Sequence, residues 1–355
     1  MIKLFSRKKT KEIAPAIPRT NAFLYRYPVE GTPGIRNYEE MLEDPLVRSA
    51  VTVKKLGTLT VPWRLETSGN ARVDAFVQEM FNEMEGSPTG VLYDALDAIA
   101  KGYSVLEKVF DTGLPGFAGA IWVRAVKPKD PAMFGFDVDE FLNIKSLVLH
   151  VPGEAGIELP ADKFVVYAYN KRYSQPYGES DLRAAYRHWR TKRALIDQWN
   201  AHLEKYASPA IVGKFQRGLS EEEQAALLDA LDKVQRQSAL IHADDIEVSL
   251  LDGRRTAESG YLEAIDYHNR EIARAILGQT LTTDDSRRVG SLALGKVHLQ
   301  VLIMQLNGLR KDVAERAMNE QIIRPTVDLN FEGGVYPRFV FEEPELDVFR
   351  TGRVV

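Results

Sequence analysis

The chain has 355 residues, of which 45% are apolar and 27% charged, values that are ordinary for a folded protein and exclude global disorder. Its 46 Lys+Arg and 50 Asp+Glu give a formal net charge of −4, which argues against a protein that grips nucleic acid tightly along its surface. It contains no cysteine, so disulfides, thiolate zinc sites and cysteine nucleophiles are excluded.

The first 37 residues contain several prolines and little hydrophobic periodicity, which predicts an extended arm over 1–37. The arm begins with a basic stretch but lacks the continuous apolar core of a secretory signal. No part of the chain approaches the roughly 18 to 20 apolar residues that a membrane-spanning helix needs. We therefore expect synthesis in the cytoplasm and no membrane partner.

Residues 38–179 show helical and then strand-like periodicity, which predicts a mixed α/β region with its own core. Amphipathic helices are predicted at 38–59, 74–84 and 90–100. The period changes to two at Tyr103. Strands are predicted at 64–66, 103–110, 121–126, 146–150 and 164–168.

A long helix is predicted over 181–206, a segment without Gly or Pro that follows Ser180, a favourable N-cap residue. At 1.5 Å per residue this helix would be about 39 Å long. Apolar side chains recur along it at seven-residue spacing and begin a second stripe beside the first, which predicts a packed seam. The seam residues assigned to this helix are Leu182, Trp189, Ile196, Trp199 and Leu203.

A small module follows the long helix. Alternating apolar residues predict a strand at 210–215, and Ser220 facing Glu223 forms a capping box that opens a helix ending near residue 236. Two further strands are predicted at 238–242 and 246–251. The segment therefore predicts a β-α-β-β module between two long helices.

The second long helix is predicted over 256–277, where Gly278 ends it. A polar loop at 279–290 and a third long helix at 291–320 follow. The apolar residues on one face of the second helix are Tyr261, Ile265 and Ile272. The strands predicted in the tail are at 327–331 and 338–341.

The sequence contains no HExxH, Walker A, GxGxxG or GxSxG motif, and its six histidines are scattered. We interpret these histidines as satisfied surface or interface residues. The carboxylates of Asp244, Asp245 and Glu247 suggest a nuclease-like metal site, but neighbouring carboxylates in a turn rarely converge on one ion. The sequence therefore predicts no catalytic residue, no metal site and no cofactor.

The two long helices that precede the polar loop have opposite charge bias. Five basic residues and no acidic ones lie between Arg183 and Arg193, whereas the helix at 256–277 carries four acidic residues against two arginines. These helices could pair within a subunit or between neighbouring subunits, or each could show its charges to water.

Three stretches resemble segments of bacteriophage portal proteins, most closely those of the Mu-like branch. The helix-then-strand opening of that family is similar to residues 92–110, LYDALDAIAKGYSVLEKVF. Its entry into the stem is similar to residues 177–207, YGESDLRAAYRHWRTKRALIDQWNAHLEKYA. The passage through its tunnel loop is similar to residues 271–298, EIARAILGQTLTTDDSRRVGSLALGKVH. The likeness covers about residues 38–330.

The resemblance implies an α+β portal-type fold and a ring of about twelve copies around a central channel. Family members commonly continue into a helical crown, which is either reduced here or missing because the sequence is cut short. The implied parts are an α/β wing at 38–179, a stem helix at 180–207, the clip at 208–254, a second stem helix at 255–278, the tunnel loop at 279–290, a long wing helix at 291–320 and C-terminal strands at 321–355.

The implied function is a structural channel for DNA packaging and ejection at the portal vertex of the virion. The protein would be in the host cytoplasm during assembly and would have no enzymatic activity. The clip would contact the large subunit of the terminase motor and later head-completion or adaptor proteins. The ring would also contact major capsid and scaffold proteins. A metal-dependent nuclease and a head–tail adaptor are the alternatives.

The resemblance also assigns contact residues. Double-stranded DNA would pass the tunnel loop without sequence-specific contacts. The clip residues assigned to partner binding are Glu221, Glu222, Lys233 and Arg236. The DNA-facing residues of the loop are Thr280, Thr282, Thr283, Asp284, Asp285, Ser286, Arg287 and Arg288.

Overall fold

The structure is a computed structural model that describes residues 33–153, 155–172, 175–207, 211–214, 220–236, 247–250, 254–279 and 292–342. The described chain divides into two compact units, one drawn from Met1–Tyr186 with Ile272–Val355 and the other from Arg187–Glu271. Of the predicted arm, residues 1–32 lie outside the described residues. Residues 35–37 belong to the first helix rather than to an extended segment.

Five helices of the first unit precede its main sheet. Three of them start at residues whose side chains accept hydrogen bonds from free backbone amides: Asp44, Asn70 and Ser87. Pro45 and Pro88 occupy the first turn, where a proline removes no helical hydrogen bond. The helices are α1 (Ile35–Met41), α2 (Pro45–Leu59), α3 (Ala71–Glu83), α4 (Pro88–Ala95) and α5 (Ala98–Lys101).

The described part of the first unit contains three antiparallel sheets. The strands are β1 (Trp63–Glu66), β2 (Tyr103–Asp111), β3 (Trp122–Lys129), β4 (Phe134–Val138), β5 (Ile144–Leu149), β6 (Ile157–Pro160), β7 (Phe164–Ala168) and β10 (Arg338–Phe341). β2 is the centre of one sheet, with Val105 opposite Lys129 of β3 and Val166 of β7. β5 is the centre of the second, between β4 and β6, and β1 pairs with β10 in the third.

The main core of the first unit joins residues from both ends of the chain. Phe76 of α3, Leu106 of β2 and Tyr167 of β7 are fully buried in one cluster. Val313 and Ile323, more than 140 residues later, are fully buried in the same cluster. Each apolar side chain buried in this way stabilises the fold by about 1.5–3 kcal/mol.

The third long helix differs from its prediction. α9 spans Leu292–Val313, continues as a π-helical segment over Ala314–Ile323 and ends as α10, Arg324–Asp328. The strand predicted at 327–331 is wrong. Val327 and Leu329 are apolar residues two positions apart, and in a strand both would face the same side. Val327 instead lies in α10 and is buried, whereas Leu329 is exposed. The helix therefore covers the first two residues of the segment expected to be extended, 327 and 328, and a turn follows at 329 and 330.

The π-helical segment directs two side-chain amides at two different strands. Phe339 N of β10 donates to Asn319 Oδ1 at 2.8 Å, and Asn319 Nδ2 donates to Phe339 O at 3.1 Å. Val166 N of β7 donates to Gln321 Oε1 at 2.8 Å, and Gln321 Nε2 donates to Val166 O at 3.0 Å. Each amide takes the place of a neighbouring strand, so backbone groups of both strands are satisfied.

The second unit contains the small module and parts of both long helices. The capping box predicted at Ser220 is confirmed, since Glu223 N donates to Ser220 Oγ at 3.3 Å and Ser220 N donates to Glu223 Oε2 at 2.8 Å. The strand predicted at 238–242 lies outside the described residues. The elements are α6 (Asp181–Ala207), β8 (Ile211–Lys214), α7 (Glu221–Arg236), β9 (Glu247–Leu250, antiparallel to β8) and α8 (Arg254–Leu277).

Candidate functional site: the two long helices

The first turn of α6 is fixed by Ser180, as the sequence predicts. Leu182 N donates to Ser180 Oγ at 3.0 Å, which is the N-cap hydrogen bond. The same hydroxyl donates to the carbonyl oxygen of Ala100 in α5 at 2.5 Å. Ser180 is buried, so the capping residue also holds the start of α6 against α5.

Lys54 of α2 joins the start of α6 to the end of α8. Its Nζ donates to Asp181 Oδ2 at 2.6 Å and to the carbonyl oxygen of Ile276 at 3.0 Å. Tyr169 adds a hydroxyl donor 3.2 Å from the Asp181 carboxylate. Burial lowers the pKa of Lys54, but Asp181 and Tyr169 more than offset this effect, so the pKa of the ammonium lies above its usual value. The two groups are therefore paired in a buried site, where burial raises the pKa of the Asp181 carboxyl and the Lys54 ammonium opposes that rise.

Two glycines shape the ends of the long helices. Gly278 has a φ of +69° and its amide donates to Arg274 O at 3.0 Å, which confirms the predicted end of α8. A Cβ at Gly278 would collide with the side chain of Gln305. Gly178, which precedes α6, has a φ of +60°, and a Cβ there would collide with the carbonyl oxygens of Gly102 and Tyr169.

Burial decreases along the predicted seam of α6. Leu182 is 0% exposed and Trp189 is 7% exposed, whereas Leu203 is 38% exposed. Ile196 and Trp199 are half-buried between these extremes. On α8, Ile265 and Ile272 are buried and Tyr261 is half-buried. The predicted seam residues thus lie in buried and in accessible surroundings, and their role in assembly stays a prediction.

Aromatic rings join α6 and α8 within the second unit. His188 Nδ1 and His268 Nδ1 are 3.1 Å apart, and the rings of His202 and Tyr261 have centroids 5.7 Å apart. Because residues 188 and 202 match residues 268 and 261, the two helices run antiparallel. Burial and the neighbouring His188 lower the pKa of His268, which favours the neutral ring that this hydrogen bond needs.

The sequence does not predict this histidine pair. His188 and His268 are 80 residues apart, and neither lies in a recognisable motif. An antiparallel alignment of the two predicted helices would have placed them at the same level. The sequence evidence for this histidine contact therefore lies in the alignment of the two predicted helices and in neither helix alone.

The other predicted site residues are only partly described. Thr280, Asp284, Arg287 and the remaining tunnel-loop residues lie outside the described residues, although the adjoining Gln279 is described and buried. Glu221 and Glu222 are exposed in the first turn of α7. Lys233 and Arg236 belong to α7, but the positions of their side chains are not described.

The structure gives no support to a metal centre in the part of the chain that it describes. No group of three or more His, Cys, Asp or Glu side chains that could hold an ion is found there. Asp244 and Asp245 lie outside the described residues, and Glu247 begins β9. Among the described helices, none is long and apolar enough to cross a membrane.

Comparisons of the sequence identify related proteins. A family model described as the portal protein of Mu bacteriophage matches residues 35–351. The portal protein of Escherichia phage Mu is 26% identical over 317 residues, which cover 85% of this chain and 59% of that protein. The Mu-like prophage FluMu protein gp29 of Haemophilus influenzae is 25% identical over 311 residues, with 84% and 59% covered. The chain thus spans about three-fifths of the length of these relatives.

Solved structures share the fold. A chain from the virion of a native gene transfer agent particle superposes with a TM-score of 0.65 at 13% identity, covering 94% of this chain and 92% of that one. An HK97 family phage portal protein from Corynebacterium diphtheriae gives a TM-score of 0.50 at 12% identity, covering 86% and 95%. The predicted α+β class is confirmed by the helices and sheets described above. With a family match over 35–351, this chain belongs to the portal protein family of Mu bacteriophage.

Proposed function

We propose that this chain forms a portal ring at one vertex of a phage capsid, and that double-stranded DNA passes through the ring during packaging and ejection. The observation that carries the proposal is the family match over residues 35–351, which extends through both compact units. The ring would be a homododecamer. It would need no catalytic residue and no cofactor, because a separate ATPase would supply the energy.

The charge of the chain supports a channel that does not hold DNA. Strong pairing with phosphates would slow translocation, and a formal net charge of −4 keeps such pairing weak. Hydroxyl and arginine side chains in the 279–290 segment offer sequence-independent contacts to phosphates. We assign DNA contact to the tunnel-loop residues Thr280, Thr282, Thr283, Asp284, Asp285, Ser286, Arg287 and Arg288.

The module between the long helices is assigned to partner binding. In this proposal the clip, residues 208–254, contacts the terminase large subunit during packaging and head-completion or adaptor proteins afterwards. Glu221 and Glu222 are exposed at the start of α7, where a partner can reach them. Lys233 and Arg236 complete the assigned set. The remaining ring would contact major capsid and scaffold proteins in the virion, after synthesis in the host cytoplasm.

The first experiment is native mass measurement with electron microscopy of the same sample. Twelve copies of the 40.0 kDa chain would give a ring of about 480 kDa with a central hole. When the portal gene of the phage that encodes this chain is deleted and the chain is supplied separately, DNA packaging should be restored. A compact dimer with chelator-sensitive nuclease activity would contradict the proposal and favour the metal-dependent nuclease at Asp244, Asp245 and Glu247.

A further inference from the structure

The two long helices expose charges that have no ion-pair partner in the described part of the chain. On α6, Arg187 and Arg190 are exposed. On α8, Glu263 and Asp266 are exposed. None of these four side chains forms an ion pair with another described residue. The opposite charges of the two helices are therefore not neutralised against each other among these residues.

Three of the four charged side chains, Glu263, Asp266 and Arg190, point away from the contact between α6 and α8, and the fourth, Arg187, lies at the edge of that contact next to His188. That contact is marked on α8 by Tyr261 and His268, which meet rings of α6. Glu263 and Asp266 each lie two residues from one of these positions, about 200° around the helix. Arg190 likewise lies two residues from His188, the α6 partner in the contact. The acidic face of α8 is thus available to a molecule other than its own α6.

The spacing of the charges on the two helices is complementary. Arg187 and Arg190 are three residues apart, as are Glu263 and Asp266, which corresponds to about 4.5 Å along each helix axis. Copies in a ring have the same orientation along the ring axis, so the α8 of a neighbouring copy also runs antiparallel to α6. In that arrangement Arg187 can meet Asp266 while Arg190 meets Glu263.

Apolar surface lies beside the acidic residues. Leu262, next to Glu263, is 43% exposed, and Tyr267, next to Asp266, is 49% exposed although its ring also meets His188 of the same chain with centroids 6.0 Å apart. Exposed tyrosine and arginine side chains are enriched at protein–protein interfaces, and charged residues lie mainly at the rim of such interfaces. DNA would not cover this face, because carboxylates repel phosphates.

We propose that the basic face of α6, Arg187 and Arg190, binds the acidic face of α8, Glu263 and Asp266, on the neighbouring copy of this chain. This inference rests on the ring assembly in the proposed function. The contact is heterologous, since one copy supplies the arginines and the next supplies the carboxylates. Repeated around the ring, the same pair of faces would join every subunit to the next.

Charge reversal tests the pairing. Arg187→Glu with Arg190→Glu should weaken association of the copies at least about 100-fold, because like charges then face each other across the contact. Adding Glu263→Arg and Asp266→Arg to the same chain should restore rings. The matched control is Arg36→Glu with Arg72→Glu, which changes the net charge equally at exposed residues of α1 and α3 and should leave ring yield unchanged. Circular dichroism checks that each variant is folded, and Arg187→Gln with Arg190→Gln replaces the reversed variant if that one is not.

A cross-linking experiment locates the contact independently. The chain has no cysteine, so single cysteines can be introduced without a background. Arg187→Cys and Asp266→Cys chains, co-assembled and treated with a short bismaleimide, should form cross-linked dimers only when both variants are present. Arg36→Cys mixed with Asp266→Cys is the control that should remain uncross-linked.

The outcomes separate this inference from the proposed function. If the wild-type chain does not associate at low salt, both the ring and the interface are contradicted. If wild-type rings form but the reversed variant forms them equally well, only the interface is wrong. If that variant forms normal rings and loses salt-dependent binding to double-stranded DNA, the arginines belong to a DNA contact and the interface is again wrong.

Discussion

The two compact units of the chain differ in what stabilises them. In the first unit, Lys54 bonds to a residue 127 positions away in the sequence, and Gln321 bonds to one 155 positions away. Side chains from both ends of the chain also share one core. In the second unit, half-buried rings join α6 to α8, and charged faces such as that of Arg190 remain exposed. The first unit therefore contains the main core, whereas the assembly contact that we propose lies in the second unit. Mutations should therefore reduce folding stability in one unit and assembly in the other.

The largest effect on folding is expected at Lys54. Lys54→Met leaves the Asp181 carboxylate buried without its cation and should lower the free energy of unfolding by about 3–5 kcal/mol. Denaturant unfolding measures this change. Arg64→Met is the matched control, because it removes the ion pair between Arg64 and Glu66, whose side chains are 54% and 42% exposed. This control should lower the free energy of unfolding by less than about 1 kcal/mol. Equal losses in the two variants would contradict the buried pair.

A graded effect is expected along α6. Leu182→Ala removes a side chain that is 0% exposed and should destabilise the protein by about 2–5 kcal/mol. Leu203→Ala removes one that is 38% exposed and should change stability by less than about 0.5 kcal/mol. Thermal unfolding of both variants measures the difference. A large loss at Leu203 would show that the far part of α6 is packed as firmly as its start.

The sequence predicted the first two long helices well because their signals are local. The predicted helix at 181–206 is α6, Asp181–Ala207, and both Ser180 at its start and Gly278 at the end of α8 act as expected. A helical period, a capping hydroxyl and a left-handed glycine are each contained within a few residues. Such features need no knowledge of distant parts of the chain.

The features that depend on distant residues were missed. Strands β4, Phe134–Val138, and β6, Ile157–Pro160, were not predicted, since their apolar residues become a pattern only when they flank β5. The amides of Asn319 and Gln321 look like ordinary polar residues of a helix surface, yet they bind strand backbones elsewhere in the chain. The contact between His188 and His268 likewise depends on how two separate helices align.

A smaller, pH-dependent effect is expected in the second unit. Burial and the nearby His188 lower the pKa of His268, so the unfolded chain, with its ordinary value near 6.5, binds a proton more readily than the folded chain. The stability from the neutral pair is therefore complete above about pH 6.5 and declines as the pH falls below it. His188→Gln with His268→Gln should reduce the decline in melting temperature between about pH 7.5 and about pH 5.5. His202→Gln should keep the wild-type decline, and a double variant with an unchanged decline would contradict the assignment.

The smallest effect on stability is expected in the predicted tunnel loop. Arg287→Ala with Arg288→Ala should change the free energy of unfolding by less than about 0.5 kcal/mol and leave ring yield unchanged, because loop side chains that face a channel support no core. The amount of packaged DNA should nevertheless fall, since these two arginines are the cations of the segment that we assign to phosphate contact. Measuring ring yield and DNA content in the same complemented particles separates the two roles. If the variant forms no rings, the arginines belong to a subunit contact and not to the channel. The 279–290 segment would then be part of the assembly surface, together with the exposed faces of α6 and α8.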